Sequence, residues 1–141
     1  MSRESAGSIW PSATPPPATD ALSWELTDIA ELPNVRAQLR AHLRGTADGD
    51  TRDRLVLALD EMASNALRHG GGGVRAAVRR ADTSWLLEVS DRAPGSPPAP
   101  AIGRDPSEGG LGLYLIAELS SAHGWYVEGG AKHVWAVLRR T

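Results

Sequence analysis

The chain has 141 residues, 41% hydrophobic and 23% charged, with a formal net charge of −2 and no cysteine. That length suits one domain around one hydrophobic core, and the near-neutral balance favours neither a nucleic-acid partner nor an anionic membrane surface. The lack of cysteine removes disulfides, thiolate zinc sites and cysteine nucleophiles together. No apolar run approaches the roughly 18 residues of a membrane helix, and the opening MSRESAGSIW has no signal-peptide core, so a soluble cytoplasmic protein is expected.

Residues 1–19 are rich in Ser, Ala and Pro and include Pro15-Pro16-Pro17. Such a segment is expected as a flexible tail, because it buries too little apolar surface to offset its ordering entropy. The folded domain is then expected over 20–141. Leu22, Trp24 and Leu26 alternate with polar residues, which predicts a half-buried strand. Pro33 suits the first turn of a helix whose apolar spacing is Val35, Leu39 and Leu43. Gly45 to Asp50 reads as a loop. The longest helix signal runs from about Thr51 to His69, with Leu55, Leu59, Met62 and Ala66 as its apolar stripe and four glycines, 70–73, to end it.

Two strands follow, one carrying Val74, Ala76 and Val78, the other Trp85, Leu87 and Val89. Residues 92–109 hold five prolines and three glycines and predict a long loop of the kind that serves as a lid or binding segment. A helix from about Gly110 to Ala122 precedes a hairpin with strands near 124–128 and 132–140, joined by Gly129-Gly130. The run Val134 to Leu138 suggests a strand buried on both faces. The order of elements predicts an α+β two-layer sandwich, a mixed sheet covered on one face by about three helices.

Three groups of residues could carry chemistry. Glu61 and Asn65 stand four apart on one helix face, and Arg68 returns to nearly the same face. A carboxylate, an amide and a guanidinium in a row could activate a hydroxyl, ligate Mg²⁺ and contact phosphate. Taken alone, the row fits an ordinary solvated helix edge better. Asp91 ends its strand on the side of Trp85, Leu87 and Val89, where a carboxylate needs a partner such as an adenine amino group. A turn-capping role fits it equally well. Glu108 to Leu113 (Glu-Gly-Gly-Leu-Gly-Leu) closes the loop and opens a helix, so its amides could meet an anion, though it matches neither a Walker motif nor the dinucleotide fingerprint. The four histidines show no metal-ligand spacing, and no nucleophile elbow is present.

In order along the chain these signals reinforce one another. Asp60 to Gly70 resembles the N box of the Bergerat-fold superfamily of gyrase, heat-shock chaperone, histidine-kinase and mismatch-repair ATPases. Asp91-Arg92-Ala93-Pro94-Gly95 resembles its first glycine box and Glu108 to Leu113 its second. The Glu-Gly-Gly-Leu-Gly-Leu string and the Asn-Ala-Leu-Arg-His-Gly ending look most like the anti-sigma-factor serine kinases, over about residues 20–141. The resemblance implies ATP and Mg²⁺ as cofactors. It implies Glu61 as general base, Asn65 as Mg²⁺ ligand, Arg68 near phosphate and Asp91 as acceptor of the adenine amino group. Gly95 would let the base lie close, Gly110, Leu111 and Gly112 would offer amides to the phosphates, and 96–109 would be the ATP lid.

The implied function is a protein serine/threonine kinase that sequesters an RNA polymerase sigma factor and phosphorylates an anti-anti-sigma partner of the sulfate-transporter-and-antisigma type. A homodimer through an apolar outer sheet face is expected with it. The sequence departs from the family at Ala93, where glycine is usual, at Ser107, where relatives often carry arginine, and in a proline-rich lid with fewer amide donors. Those departures motivate an alternative, an anti-sigma or adaptor module with the same fold and little or no kinase activity. The catalytic domain of a histidine kinase is disfavoured, because no helical dimerisation segment precedes Leu22.

Overall fold

The computed structural model describes residues 10–69, 73–92 and 111–139, with backbone alone for 111–114. Strand β1 (Thr19–Leu26) opens the sheet, three residues earlier than the alternation at Leu22 predicts. A register shift between Asp20 and Leu22 explains the difference, because a bulge there breaks the period-2 pattern. A single 3-10 turn (Ile29–Glu31) then starts the helical layer. Asp28 Oδ1 accepts from the Ala30 amide at 2.9 Å, and Glu31 Oε1 accepts from the Thr27 and Asp28 amides at 2.7 and 2.9 Å. Those backbone donors hold the Glu31 carboxyl below its ordinary value.

Helix α1 (Leu32–Leu43) has Pro33 in its first turn and buries Leu32, Val35, Leu39 and Leu43, one per turn. Helix α2 (Gly49–His69) begins two residues before the predicted start, because Asp48 Oδ1 accepts from the Thr51 amide at 2.7 Å. Its stripe of Leu55, Leu59, Met62 and Ala66 is buried as expected. Arg36 of α1 meets Asp60 of α2 at 2.6 Å and Arg40 meets Asp53 at 3.0 Å, tying the two helices along their outer edge.

Strands β2 (Val74–Ala81) and β3 (Ser84–Asp91) follow, then helix α3 (Leu111–Leu119), β4 (Ala122–Glu128) and β5 (Ala131–Arg139). Helix α3 is shorter than predicted. The Ser121 amide bonds to the Val137 carbonyl at 2.9 Å, which commits the chain to the sheet and starts β4 two residues early. Gly129 and Gly130 both have positive φ, +62° and +76°, as the tight β4–β5 turn requires. Sheet order is β1-β2-β3-β5-β4, with all four ladders antiparallel. Among the described residues, the parallel component expected of a mixed sheet is confined to one bridge, Ser12 to Trp125, at the outer edge of β4.

One core lies between the sheet and the helices. Val78, Leu87, Val89 and Ala136 face Leu39, Leu55, Leu59 and Met62 there. Val134 to Leu138 is buried throughout, so β5 is covered on both faces as its sequence suggests. The second cover is unexpected. Residues 10–18, read from sequence as loose tail, wrap around the β4 edge. Trp10 is fully buried and meets the His123 ring edge-on at 4.8 Å. The Trp125 amide donates to the Pro11 carbonyl at 3.0 Å, and the Ala13 amide donates to the Trp125 carbonyl at 2.9 Å. On the outer face Trp135 Nε1 donates to the Ala13 carbonyl at 2.8 Å, and Ala18 packs on Leu86, Trp135 and Val137. Gly124 is required here, since a Cβ would come within 2.9 Å of the Pro11 carbonyl oxygen and of the Trp135 ring. The flexible-tail expectation therefore fails for residues 10–18. The strap's anchors are backbone carbonyls and two tryptophans, neither of which composition weighs.

The outer face also carries a polar cluster centred on Glu88, which is 4% exposed. Its carboxylate accepts from Arg79 Nη1 at 2.7 Å and from the Tyr126 hydroxyl at 2.6 Å, and meets His133 Nδ1 at 2.8 Å. Arg79 reaches on to Asp20 of β1 at 2.7 Å, and the Tyr126 and His133 rings stack at 4.6 Å.

Candidate functional site at the end of the sheet

The register brings the three sequence groups to one end of the molecule. Helix α2 runs toward its C-terminus and the chain re-enters the sheet at Val74. Arg75 pairs with Ser90, so the last turns of α2 and the end of β3 share that end. Asp91 in turn pairs with Lys132 at the start of β5. The far end is marked by Ser121, whose amide bonds to the Val137 carbonyl just beyond the C-terminus of α3. The N-terminus of α3 therefore faces back toward Asp91.

Glu61 and Asn65 are half-buried on α2, and Arg68 is exposed in its last turn. Glu61 closes one end of a narrow, largely apolar groove between α2 and α3, lined by Leu57, Ala58, Leu115, Ile116 and Leu119. Leu57, Leu115 and Leu119 are each about half exposed along it. Leu111 and Gly112 form the first turn of α3, where backbone amides have no partner within the helix and the dipole favours an anion. Gly95, Gly110, Ala93, Ser107 and the 96–109 segment lie outside the described residues.

Asp91 is buried on the helix side of the sheet, as the alternation predicts. Its Oδ2 stands 3.6 Å from Lys132 Nζ, with both side chains under 10% exposed. Two opposite charges at this depth compensate part of each other's desolvation cost. Lys132 is the residue that sequence reasoning missed. It is the chain's one lysine and it alternates inward with Val134, Ala136 and Leu138, but only the β3–β5 register pairs it with Asp91. A larger hollow of about 440 Å³, lined by Thr51, Arg54, Leu119, Ser120, Ser121, Leu138 and Arg139, adjoins the groove bordered by Glu61 and shares Arg54, Leu119 and Leu138 with it.

A helix presenting a carboxylate and an amide, a buried acidic residue at a strand end and a helix N-terminus thus lie toward one end of the sheet. The family of histidine kinase-like ATPase domains matches residues 26–138. The chain belongs to that family. Its α+β sandwich, one antiparallel sheet under a helical layer, is the family's fold, and ATP is the ligand such a domain implies.

Among curated relatives the chain is similar to the signal transduction histidine-protein kinase AfsQ2 of Streptomyces coelicolor, 36% identical over 55% of this chain and 18% of that protein. It is also similar to the sensor protein DivL of Caulobacter vibrioides, 38% identical over 59% of this chain and 12% of that protein. The chain thus spans less than a fifth of the length of these relatives. Among solved structures it is similar to the RsbU and RsbW domains of Rv1364c from Mycobacterium tuberculosis, with 25% identity and a TM-score of 0.56 over 85% of this chain and 33% of that one.

The described residues fit an ATP and Mg²⁺ site. A half-buried Asn65 amide offers an oxygen, and Mg²⁺ carried by nucleotide phosphates commonly takes one or two protein oxygens with waters completing its shell. No group of three acidic, His or Cys side chains that could hold a metal occurs among the described residues. No described helix is long and apolar enough to cross a membrane.

Proposed function

We propose that the domain is an ATP-dependent protein serine/threonine kinase that also sequesters a sigma factor and phosphorylates an anti-anti-sigma partner. The observation that supports it most is the convergence of Glu61, Asn65, buried Asp91 and the α3 N-terminus at one end of the sheet. In this reading Asp91 accepts from the adenine amino group, Asn65 ligates Mg²⁺, and Arg68 with the amides of Leu111 and Gly112 meets the phosphates. Glu61 takes the proton of the attacking serine hydroxyl as its oxygen bonds the γ-phosphorus, and the bridging oxygen leaves with ADP. The negative charge gained by the partner then loosens its complex through repulsion and desolvation at the interface. The likeness to the chain carrying an RsbW domain fits this family. A homodimer belongs to this reading through the family resemblance; Leu86, Trp135 and Val137 of the outer face are buried with Ala18 and Tyr126 packed on them, so its contact would use another part of the surface.

A second reading has its own support. One curated relative is named a signal transduction histidine-protein kinase and the other a sensor protein, so transfer to a histidine is the competing chemistry. The deciding experiment incubates the protein with γ-labelled ATP and either a serine-bearing anti-anti-sigma protein or a histidine-bearing dimerisation helix pair. Acid-stable label on the first acceptor supports the serine kinase, and acid-labile label on the second replaces it. No transfer to either, with nucleotide bound, supports the adaptor alternative. Glu61→Ala is expected to keep ATP binding and to lose about 10²–10⁴-fold in transfer rate, the usual effect of removing a general base. Undiminished transfer by that variant removes Glu61 from the mechanism.

A further inference from the structure

We infer that the hollow between α2, α3 and the end of β5 is a binding site for a small apolar amino acid, a ligand class with a carboxylate, an ammonium and a hydrocarbon side chain. Its volume of about 440 Å³ lies in the range of small-molecule sites, and it is the larger neighbour of the groove that ends at Glu61. The charged residues among its described lining are both arginines, Arg54 of α2 and Arg139 of β5. Arg54 Nη2 meets Asp50 Oδ2 at 2.7 Å, with both side chains well exposed. An exposed pair one helical turn apart contributes little, and a guanidinium has five donors, so Arg54 keeps N–H groups for a second carboxylate.

The hydroxyls supply the complementary half. Ser121 Oγ donates to the Val137 carbonyl at 3.3 Å. Ser120 Oγ donates to the Ala117 carbonyl at 3.2 Å and lies 3.0 Å from His123 Nδ1, so in either tautomer of that ring its proton stays within the protein. With their protons spent, both serines offer the hollow lone pairs alone, which an anion avoids and an ammonium seeks. A bare carboxylate or phosphate therefore matches the arginines and not the serines. A zwitterion matches both. Leu119, about half exposed, and Leu138, buried, complete the wall and give the ligand's hydrocarbon part an apolar surface. An occupant placed this way bridges α2, α3 and β5. The hollow lies outside the nucleotide contacts proposed above, and neither site needs the other.

The test titrates L-leucine into the full chain and follows the backbone amide resonances. Isocaproate, which lacks the amino group, and isopentylamine, which lacks the carboxylate, serve as partial ligands of the same hydrocarbon shape. Leucine is expected to shift the amides of Arg54, Ser120 and Ser121 saturably. Each partial ligand is expected to bind at least about tenfold more weakly, since each forfeits hydrogen bonds made by a charged group. In the double variant Arg54→Gln, Arg139→Gln, both at exposed positions, leucine is expected to fall to the affinity of isopentylamine. Leucine that shifts none of these amides overturns the inference. Isocaproate that binds as tightly as leucine, or a double variant with undiminished affinity, overturns it as well.

Discussion

Glu88 and Asp91 stand three residues apart on β3, both buried, on opposite faces of the sheet. Glu88 is fastened at 2.6–2.8 Å to Arg79, Tyr126 and His133, from three different strands. Asp91 and Lys132 stand 3.6 Å apart, at the strand end that faces the α2 C-terminus and the α3 N-terminus. The same chemical group thus does two jobs. Where a carboxylate has short contacts to several strands it fixes their register. Where it sits at a strand end on the side of a helix N-terminus, the proposed function has it trade a contact with the protein for one with a ligand.

Glu88→Ala should break the first arrangement most severely, leaving Arg79 and His133 beside an uncompensated gap. A loss of about 3–5 kcal/mol in urea denaturation is expected, with nucleotide affinity of the folded protein unchanged. If affinity fell as well, the two faces would not be independent. Asp91→Asn should act in the opposite way, weakening MgADP by at least tenfold, since a hydrogen bond to a charged group is worth about 1.5–3 kcal/mol. Calorimetry beside a denaturation curve separates the two effects.

Tyr126→Phe is expected to cost about 1 kcal/mol at neutral pH. Its signature is the pH dependence. Burial, and next the bond to Glu88, push the phenol well above its ordinary value of 10.0. The fold therefore prefers the neutral phenol, and this contribution is complete below about pH 10 and lost as pH rises beyond it. Wild type should lose stability along that alkaline limb, and the variant should show a flatter one. Trp135→Phe should be the mildest, about 1 kcal/mol or less, removing the donor to the Ala13 carbonyl. Amide exchange should speed at Ala13 and Trp125, with little change in the β2–β3 ladder.

Much of this was legible in the sequence, and the particular failures share a cause. Trp24 and Leu26, the Leu55–Ala66 stripe and the glycines after His69 declare their elements through period and punctuation, which are local. The burial of Asp91 follows from its alternation with Leu87 and Val89. Lys132 as its neighbour does not, because that depends on which strand lies beside β3, and the β5 register is decided more than 40 positions later. The Glu88 cluster joins residues 79, 88, 126 and 133 for the same reason. The strap was hidden most completely. Its composition reads as tail, and its partners, Trp125 and Trp135, lie at the other end of the chain.

That separation bears on the order in which the molecule assembles. The bond from Trp135 to Ala13 closes 122 residues of sequence, and loop closure over such a span follows the local contacts rather than leading them. The hairpins of β2–β3 and β4–β5 can pair as soon as each is made. The strap has nothing to wrap until β5 has joined β3. The strap residues are thus among the last to be seated, although they precede every strand they wrap. By the same reasoning they are among the first to lift when the native state opens partway.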